Sequence, residues 1–179
     1  MEKMIISAGL LISSLMAEAN TLDPLSKISI EGDRGGYFNG KAWHSTMIED
    51  KTTMLMYVDP DEKNKGDEFK STIEAFEKDL DFNHFQILVI LNLKATWKPN
   101  ALIETLLKDK SKKYPKRIYI LDKDSVLVKE WKLRDNEYNT LVIDKSSKVL
   151  YSHSGKWKED EISQIDTLIR SQFKHTKVK

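Results

Sequence analysis

Three mostly apolar runs, separated by amphipathic stretches, dominate the middle of the chain. The runs cover residues 53–58, 85–91 and 117–121, and each has the length and the predominantly apolar composition of a buried strand. The first stretch between them repeats its apolar residues at helical spacing, at Phe69, Ile73, Phe76 and Leu80. The second begins at Pro99, an early helix position where the missing N–H costs nothing. The pattern predicts parallel strands joined by helices.

The pattern changes in the last third of the chain. After a predicted short helix at 126–131, the apolar segments 140–143 and 148–151 flank a polar turn and predict an antiparallel hairpin. Residues 158–173 predict a closing helix, with acidic residues in its first turn where the helix dipole favours them. This order of elements predicts an α/β fold with a mixed central sheet and helices on both faces.

The first 19 residues have the layout of a secretory signal peptide. Lys3 supplies the positive charge, residues 4–16 form an uncharged apolar core, and Ala17-Glu18-Ala19 gives a small-x-small cleavage pattern. We therefore expect a periplasmic protein that is cleaved after Ala19. The apolar core is shorter than the roughly 20 residues of a transmembrane helix, and we expect no membrane span after cleavage.

The remaining chain is predicted to form one domain, residues 20–173, followed by a basic tail at 174–179. Within it, residues 20–51 differ from the rest because they are rich in glycine. Residues 27–30 alternate as a short strand, Gly35-Gly36 predicts a turn, and residues 37–43 can return as a second strand. Asn39-Gly40 is a strong hairpin signal. We predict a small N-terminal β-hairpin extension over 20–51.

Composition excludes several classes of function. The formal net charge is only +1, which gives no electrostatic basis for binding nucleic acid or an acidic membrane. The chain contains no cysteine, which removes thiol–disulfide exchange, iron–sulfur ligation and cysteine-based zinc sites. We expect no cofactor.

The order of elements resembles the thioredoxin fold. The segment from Thr140 to Tyr151, followed by His153-Ser154-Gly155, is similar to the TxxIDKxGxVxxxxxG hairpin of exported thioredoxin-like and peroxiredoxin-like domains. Over residues 20–173, including the N-terminal extension and the missing cysteines, the chain most resembles the YtfJ family of small exported thioredoxin-like proteins without an established activity. The resemblance implies a three-layer thioredoxin-like fold.

The chain departs from the redox-active members of that fold at both halves of their site. Those members carry a Trp-Cys-x-x-Cys loop after the first central strand and a cis-proline before the hairpin. The matching loop here is 59–66, which has no thiol, and the matching proline position falls near Tyr138, with no proline after Pro115. We therefore expect no thiol–disulfide oxidoreductase activity.

The polar loops at one edge of the predicted sheet form the candidate binding surface. Ligands of open α/β sheets bind at the carboxyl ends of the parallel strands, and the degenerate active-site loop lies there. The candidate residues from this loop, from the loop after the second strand and from the approach to the hairpin are Asp59, Asp61, Lys63, Asn64, Trp97, Tyr138 and Asn139.

Two catalytic or metal-binding alternatives are weaker. Asp59, Asp61 and Glu62 could ligate a divalent cation, but their spacing lacks the calcium-loop pattern, and a solvated loop is the simpler interpretation, so we predict no metal site. His153 lies beside Ser152 and Ser154, yet neighbours on a strand point to opposite faces, so we predict no catalytic residue.

These observations predict an exported, non-enzymatic binding or accessory module whose partner is a protein or peptide in the cell envelope. The alternative is a periplasmic enzyme that uses a metal or carboxylates instead of cysteine. A deep pocket with converging acidic side chains would favour that alternative.

Overall fold

The computed structural model describes residues 25–173, so the predicted signal peptide at 1–19 and the tail at 174–179 lie outside the described residues. Eight strands and four helices form within this range. They are β1 (Ser29–Ile30), β2 (Gly35–Tyr37), β3 (Trp43–His44), β4 (Thr52–Val58), α1 (Lys70–Asp79), β5 (Phe85–Asn92), α2 (Asn100–Lys113), β6 (Arg117–Asp122), α3 (Val126–Trp131), β7 (Tyr138–Ile143), β8 (Val149–Ser154) and α4 (Glu159–Ser171).

Six strands form one mixed sheet in the order β2-β6-β5-β4-β7-β8. The three strands predicted from continuous apolar runs, β4, β5 and β6, are parallel and lie together in its centre. The predicted hairpin, β7 and β8, continues the sheet antiparallel to β4. The predicted α/β architecture is therefore confirmed, because each parallel connection carries a helix back across the sheet.

Alternate residues of β4 pack against different layers. Met54, Met56 and Val58 face α1 and α4, and α2 covers the neighbouring part of the same face over β5 and β6. Leu55 and Tyr57 face a second core formed by α3 and the segments before β4. Every residue of β4 is buried, as the continuous apolar run requires.

The N-terminal extension differs from the predicted separate hairpin. β1 pairs with β3, but Gly35–Tyr37 leave the extension and join the main sheet as β2, antiparallel to β6. Glycine is required at this junction: Gly35 has φ 124°, and a Cβ there would lie 1.9 Å from the Leu121 carbonyl oxygen. The predicted Asn39-Gly40 turn does form, with the Gly40 amide donating to the Tyr37 carbonyl at 2.9 Å.

The helix after β4 begins later than its polar N-terminus predicts. Residues Lys63–Phe69 wind as a 3₁₀ segment, and the α-helix starts at Lys70 rather than after Asp67. This tighter winding brings the backbone of Gly66 against the ring of Tyr138 at the start of β7.

Candidate functional site

Four connecting segments meet where the parallel strands end. The segment after β4 runs from Asp59 into the 3₁₀ segment, the segment after β5 runs through residues 93–99, and residues 123–125 follow β6. Because β7 is antiparallel to β4, with Tyr138 opposite Val58, residues 132–137 reach the same edge. The sheet therefore assembles at one edge the segments that the sequence predicted to meet there.

Asp61 joins two of these segments. One carboxylate oxygen accepts a hydrogen bond from the Thr96 hydroxyl at 2.8 Å, and the other pairs with the Lys98 ammonium. The Thr96 hydroxyl also accepts the Lys98 amide at 3.2 Å. Both neighbours of Trp97 are thus tied to the loop after β4, although Asp61 and Trp97 are far apart in the sequence.

Trp97 itself projects into solvent. It is 84% exposed, far more than any other large apolar residue of the described chain. The Lys98 ammonium lies 5.7 Å from the centre of the indole ring. Lys63 and Asn64 are also exposed, on the 3₁₀ segment after Asp61. We call the set Asp61, Lys63, Asn64, Trp97 and Lys98 the Trp97 surface.

Asp59, by contrast, is a buried residue at the end of β4. It is only 3% exposed; its carboxylate accepts the Asp61 amide at 2.8 Å, and its own amide donates to the Glu137 carbonyl at 3.0 Å. Burial, reinforced by the nearby Glu62 carboxylate, raises the pKa of Asp59 from 3.8 to about 6. Asp59 therefore shapes the turn that presents Asp61.

The raised pKa makes a testable prediction for Asp59→Asn. The folded carboxyl releases its proton at higher pH than the unfolded one, so the contribution of Asp59 to stability falls as the pH rises from 3.8 to about 6. Asparagine can still accept the Asp61 amide but carries no charge. We expect the variant to be more stable than wild type above pH 7 by about 1 kcal/mol, after allowing for screening by nearby charges.

Urea unfolding of both proteins near pH 4 and above pH 7 measures this effect. Asp61→Asn is the matched control, because the Asp61 side chain is partly exposed and pairs with Lys98. A loss of stability in Asp59→Asn at the higher pH would contradict the assignment.

Tyr138 and Asn139 are buried at the start of β7 rather than presented to solvent. The Tyr138 hydroxyl donates to the Met56 sulfur at 3.0 Å. The Asn139 amide group donates to the Arg134 carbonyl at 2.9 Å and accepts the Arg134 amide at 3.1 Å. The structure thus places both residues beneath the candidate surface, where they support the segment leading into β7.

An ion pair joins the loop after β4 to the approach to β7. The Lys65 ammonium lies 2.8 Å from Glu137 and 3.0 Å from Glu62. These contacts raise the pKa of Lys65 and lower the pKa of Glu137, mainly through their mutual hydrogen bond. They hold the loop after β4 against the approach to β7.

A buried polar network under this edge is not predicted by the sequence pattern. The Tyr57 hydroxyl, on β4, donates to Asp122 on β6 at 3.0 Å, across the intervening β5. At the end of β5, Asn92 accepts the Ser125 hydroxyl at 2.8 Å and donates to Asp135 at the same distance. The one feature of the sequence that indicates this network is a polar residue at the end of two apolar strands, Asn92 on β5 and Asp122 on β6.

His153, on β8, faces the core layer that contains Trp157. His153 pairs with Thr140 across β7 and β8 and stacks on Trp157 with 4.2 Å between ring centres. Ser152 and Ser154 pair with Leu141 and Asn139 instead, so they lie on the opposite face of the sheet, as the alternation predicts. The Thr140 hydroxyl is fully buried and cannot meet a substrate from solvent.

Residues 25–173 offer neither a metal-binding cluster of histidine and acidic side chains nor a membrane-spanning helix. No group of three or more histidine, aspartate or glutamate side chains in this range is arranged to hold a metal ion. None of the helices formed by these residues has the length and apolarity needed to cross a membrane.

Comparison with known proteins identifies the family to which this chain is similar. The model of a family described as bacterial proteins of unknown function (YtfJ_HI0045) matches residues 26–172. YtfJ of Escherichia coli K12, described as uncharacterized, is 23% identical to this chain over 184 residues, which cover 95% of this chain and 97% of that protein.

Solved structures show the same fold at low identity. The exposed lipoprotein thioredoxin Etrx1 of Streptococcus pneumoniae superposes with a TM-score of 0.58 at 17% identity, covering 80% of this chain and 99% of that one. The thioredoxin domain of a thiol-disulfide oxidoreductase from Bacteroides vulgatus gives 0.55 at 14% identity, covering 83% and 97%. The fold is thioredoxin-like, as the resemblance implied. With its family model matched over nearly all of the described residues, the chain belongs to the YtfJ family.

Proposed function

We propose that this protein is an exported, non-enzymatic binding or accessory module that captures a protein or peptide partner in the cell envelope through the Trp97 surface. The observation that carries this proposal is the exposure of Trp97 on a loop that is fixed on both sides by Asp61. An exposed indole on a fixed backbone offers a large apolar contact at a small cost in conformational entropy.

The surroundings of Trp97 fit recognition better than chemistry. The chain has no thiol, and the loop that would carry it is held by the Lys65 ion pairs and the Asp61 contacts. Lys98 beside the indole, together with the exposed Lys63 and Asn64 on the segment after Asp61, provides polar groups that can form the rim of an interface. An apolar side chain of a partner stacking on the indole would bury surface that is now in water.

The proposal predicts that Trp97→Ala abolishes partner capture without affecting folding. The partner is first identified by crosslinking from a photoreactive residue at position 97 in intact cells, and binding is then measured with the purified pair. We expect an affinity loss of at least about tenfold, because a central interface tryptophan contributes about 2 kcal/mol or more. The free energy of unfolding should change by less than about 0.5 kcal/mol, since the side chain is exposed.

Met47→Ala is the matched control for this experiment. Met47 is another exposed apolar residue, 46% exposed, but it precedes β4 and lies at the opposite end of that strand. Equal loss of affinity in both variants, or full affinity in Trp97→Ala, would refute the assignment of the binding surface.

Export is a separate part of the proposal, supported by the layout of residues 1–19. Mass spectrometry of the protein extracted from its native cells should find Asn20 as the first residue. Replacing Leu11 with arginine, in the apolar core of the segment, should leave the precursor uncleaved in the cytoplasm. An intact Met1 on the wild-type protein in the envelope fraction would contradict the predicted cleavage.

A further inference from the structure

A polar pocket lies where the approach to β7 meets the β7–β8 hairpin. It has a volume of about 270 Å³ and lies between residues 132–134 and the part of the β7–β8 hairpin that carries Asn139, Ser152 and Ser154. Its lining consists of Lys132, Leu133, Arg134, Asn139, Ser152 and Ser154. Two of these residues are cationic, three carry an amide or hydroxyl group, and none is acidic.

Within residues 25–173 the two cations of this pocket form no contact ion pair, and the Glu137 carboxylate, which is paired with Lys65, interacts with the Arg134 charge only at longer range. Among the described residues, neither Arg134 nor Lys132 has a carboxylate within ion-pair distance, and the Lys132 ammonium donates only to the Lys129 carbonyl. Among the described residues, four other basic residues of this sheet edge form ion pairs, whereas the exposed Lys63 does not. Lys65, Lys94, Lys98 and Lys129 each pair with an aspartate or glutamate.

The backbone of Arg134 is fixed by the buried side chain of Asn139. Asn139 is 1% exposed and makes two hydrogen bonds to the Arg134 backbone, at 3.1 Å to its amide and 2.9 Å to its carbonyl. The same Asn139 oxygen accepts the Ser154 hydroxyl at 2.8 Å, which fixes the adjacent strand. This support reduces the ordering cost of binding a ligand at Arg134.

We infer that this pocket binds an oxyanion, the phosphate or carboxylate group of a small ligand or of a peptide end. The guanidinium of Arg134 offers a planar pair of donors that matches either group, the Lys132 ammonium adds a second charge, and the Ser152 hydroxyl is free to donate. Both sources share this chemistry. The inference goes beyond the proposed partner capture, because it uses neither Trp97 nor any residue of the Trp97 surface.

The test is a titration of the full mature chain followed by NMR of its backbone and side-chain amides at constant ionic strength. One arm uses inorganic phosphate. The other uses a short acetylated tripeptide with a free terminal carboxylate, compared with the same tripeptide as its amide. We expect saturable shifts at Arg134, Asn139 and Ser152 in at least one arm, and no saturable shift with the peptide amide.

Two variants decide whether the pocket is responsible. Arg134→Gln should weaken binding by at least about tenfold, which corresponds to about 1.4 kcal/mol. Lys108→Gln removes an exposed charge from α2, outside the pocket, and should leave binding unchanged. The Arg134 side chain makes no hydrogen bond in the described structure, so this variant should retain the wild-type spectrum elsewhere.

The outcomes separate the alternatives. Saturation with phosphate alone identifies a phosphate site, and saturation with the free carboxylate alone identifies a peptide-end site. Shifts that never saturate in either arm, or equal affinity in Arg134→Gln and wild type, would overturn the inference. Neither result depends on partner capture by Trp97, so this inference and the proposed function can fail independently.

Discussion

Replacing Gly66 with alanine is expected to destabilise the protein by about 2 to 3 kcal/mol, because the new methyl group would overpack a closed contact. A Cβ at this position would lie 2.5 Å from two ring carbons of Tyr138 and 2.8 Å from its hydroxyl oxygen. The ring cannot move away freely, since Tyr138 is only 7% exposed and its hydroxyl is bonded to Met56. Urea unfolding measures the loss.

A second substitution tests whether the Tyr138 ring is the cause. Tyr138→Leu removes the ring atoms that the new methyl group would meet. Although this change has a cost of its own, Gly66→Ala should be much less destabilising in the Tyr138→Leu background, with a coupling energy of at least about 1 kcal/mol. Additive losses would show that Gly66 is needed for the 3₁₀ backbone and not for the approach to Tyr138.

The central part of the fold is predictable from sequence because its signals are local. Continuous apolar runs identify β4, β5 and β6, and helical spacing identifies α1 between the first two. The one-residue alternation of β8 correctly separates His153 from its neighbouring serines. Each of these signals depends on residues within one element.

Features that depend on distant pairing were not predicted. β2 has only three residues, two of them glycine, and its place in the main sheet is set by β6, more than 80 residues later. The start of α1 shifts to Lys70, and the 3₁₀ segment before it packs on Tyr138, which also lies far along the chain. Such contacts produce no periodic pattern of apolar residues in the segment whose structure they change.

The candidate site residues also fall into two groups, those that are exposed in connecting segments and those that are buried by contacts with distant residues. Lys63, Asn64 and Trp97 lie in the segments that connect the strands to the α-helices, and all three are exposed. The sequence did not distinguish them from Asp59, Tyr138 and Asn139, which are polar or amphipathic but buried. All three make tertiary hydrogen bonds where they are buried. The Asp59 amide donates to the Glu137 carbonyl, the Tyr138 hydroxyl donates to the Met56 sulfur, and the Asn139 side chain bonds to the Arg134 backbone, and polarity alone does not reveal such bonds.

Replacing Asp122 with alanine should have the largest effect that we predict, a loss of about 3 kcal/mol or more, because it leaves buried donors without acceptors. Asp122 is fully buried and accepts the Tyr57 hydroxyl at 3.0 Å, the Leu127 amide at 3.2 Å and the Asp124 amide at 3.1 Å. Burial, together with the neighbouring Asp122 charge, raises the pKa of Tyr57, so its hydroxyl keeps the proton that it donates. Thermal and urea unfolding provide the measurement.

Asp124→Ala is the matched control, since the same residue type two positions later is partly exposed and pairs only with surface lysines. It should cost less than about 1 kcal/mol. In the Asp122→Ala background, Tyr57→Phe should then be neutral or stabilising, because it removes the orphaned hydroxyl, whereas in the wild-type background it should be destabilising. If Tyr57→Phe had the same effect in both backgrounds, the Tyr57–Asp122 hydrogen bond would not be what joins β4 to β6 beneath the Trp97 surface.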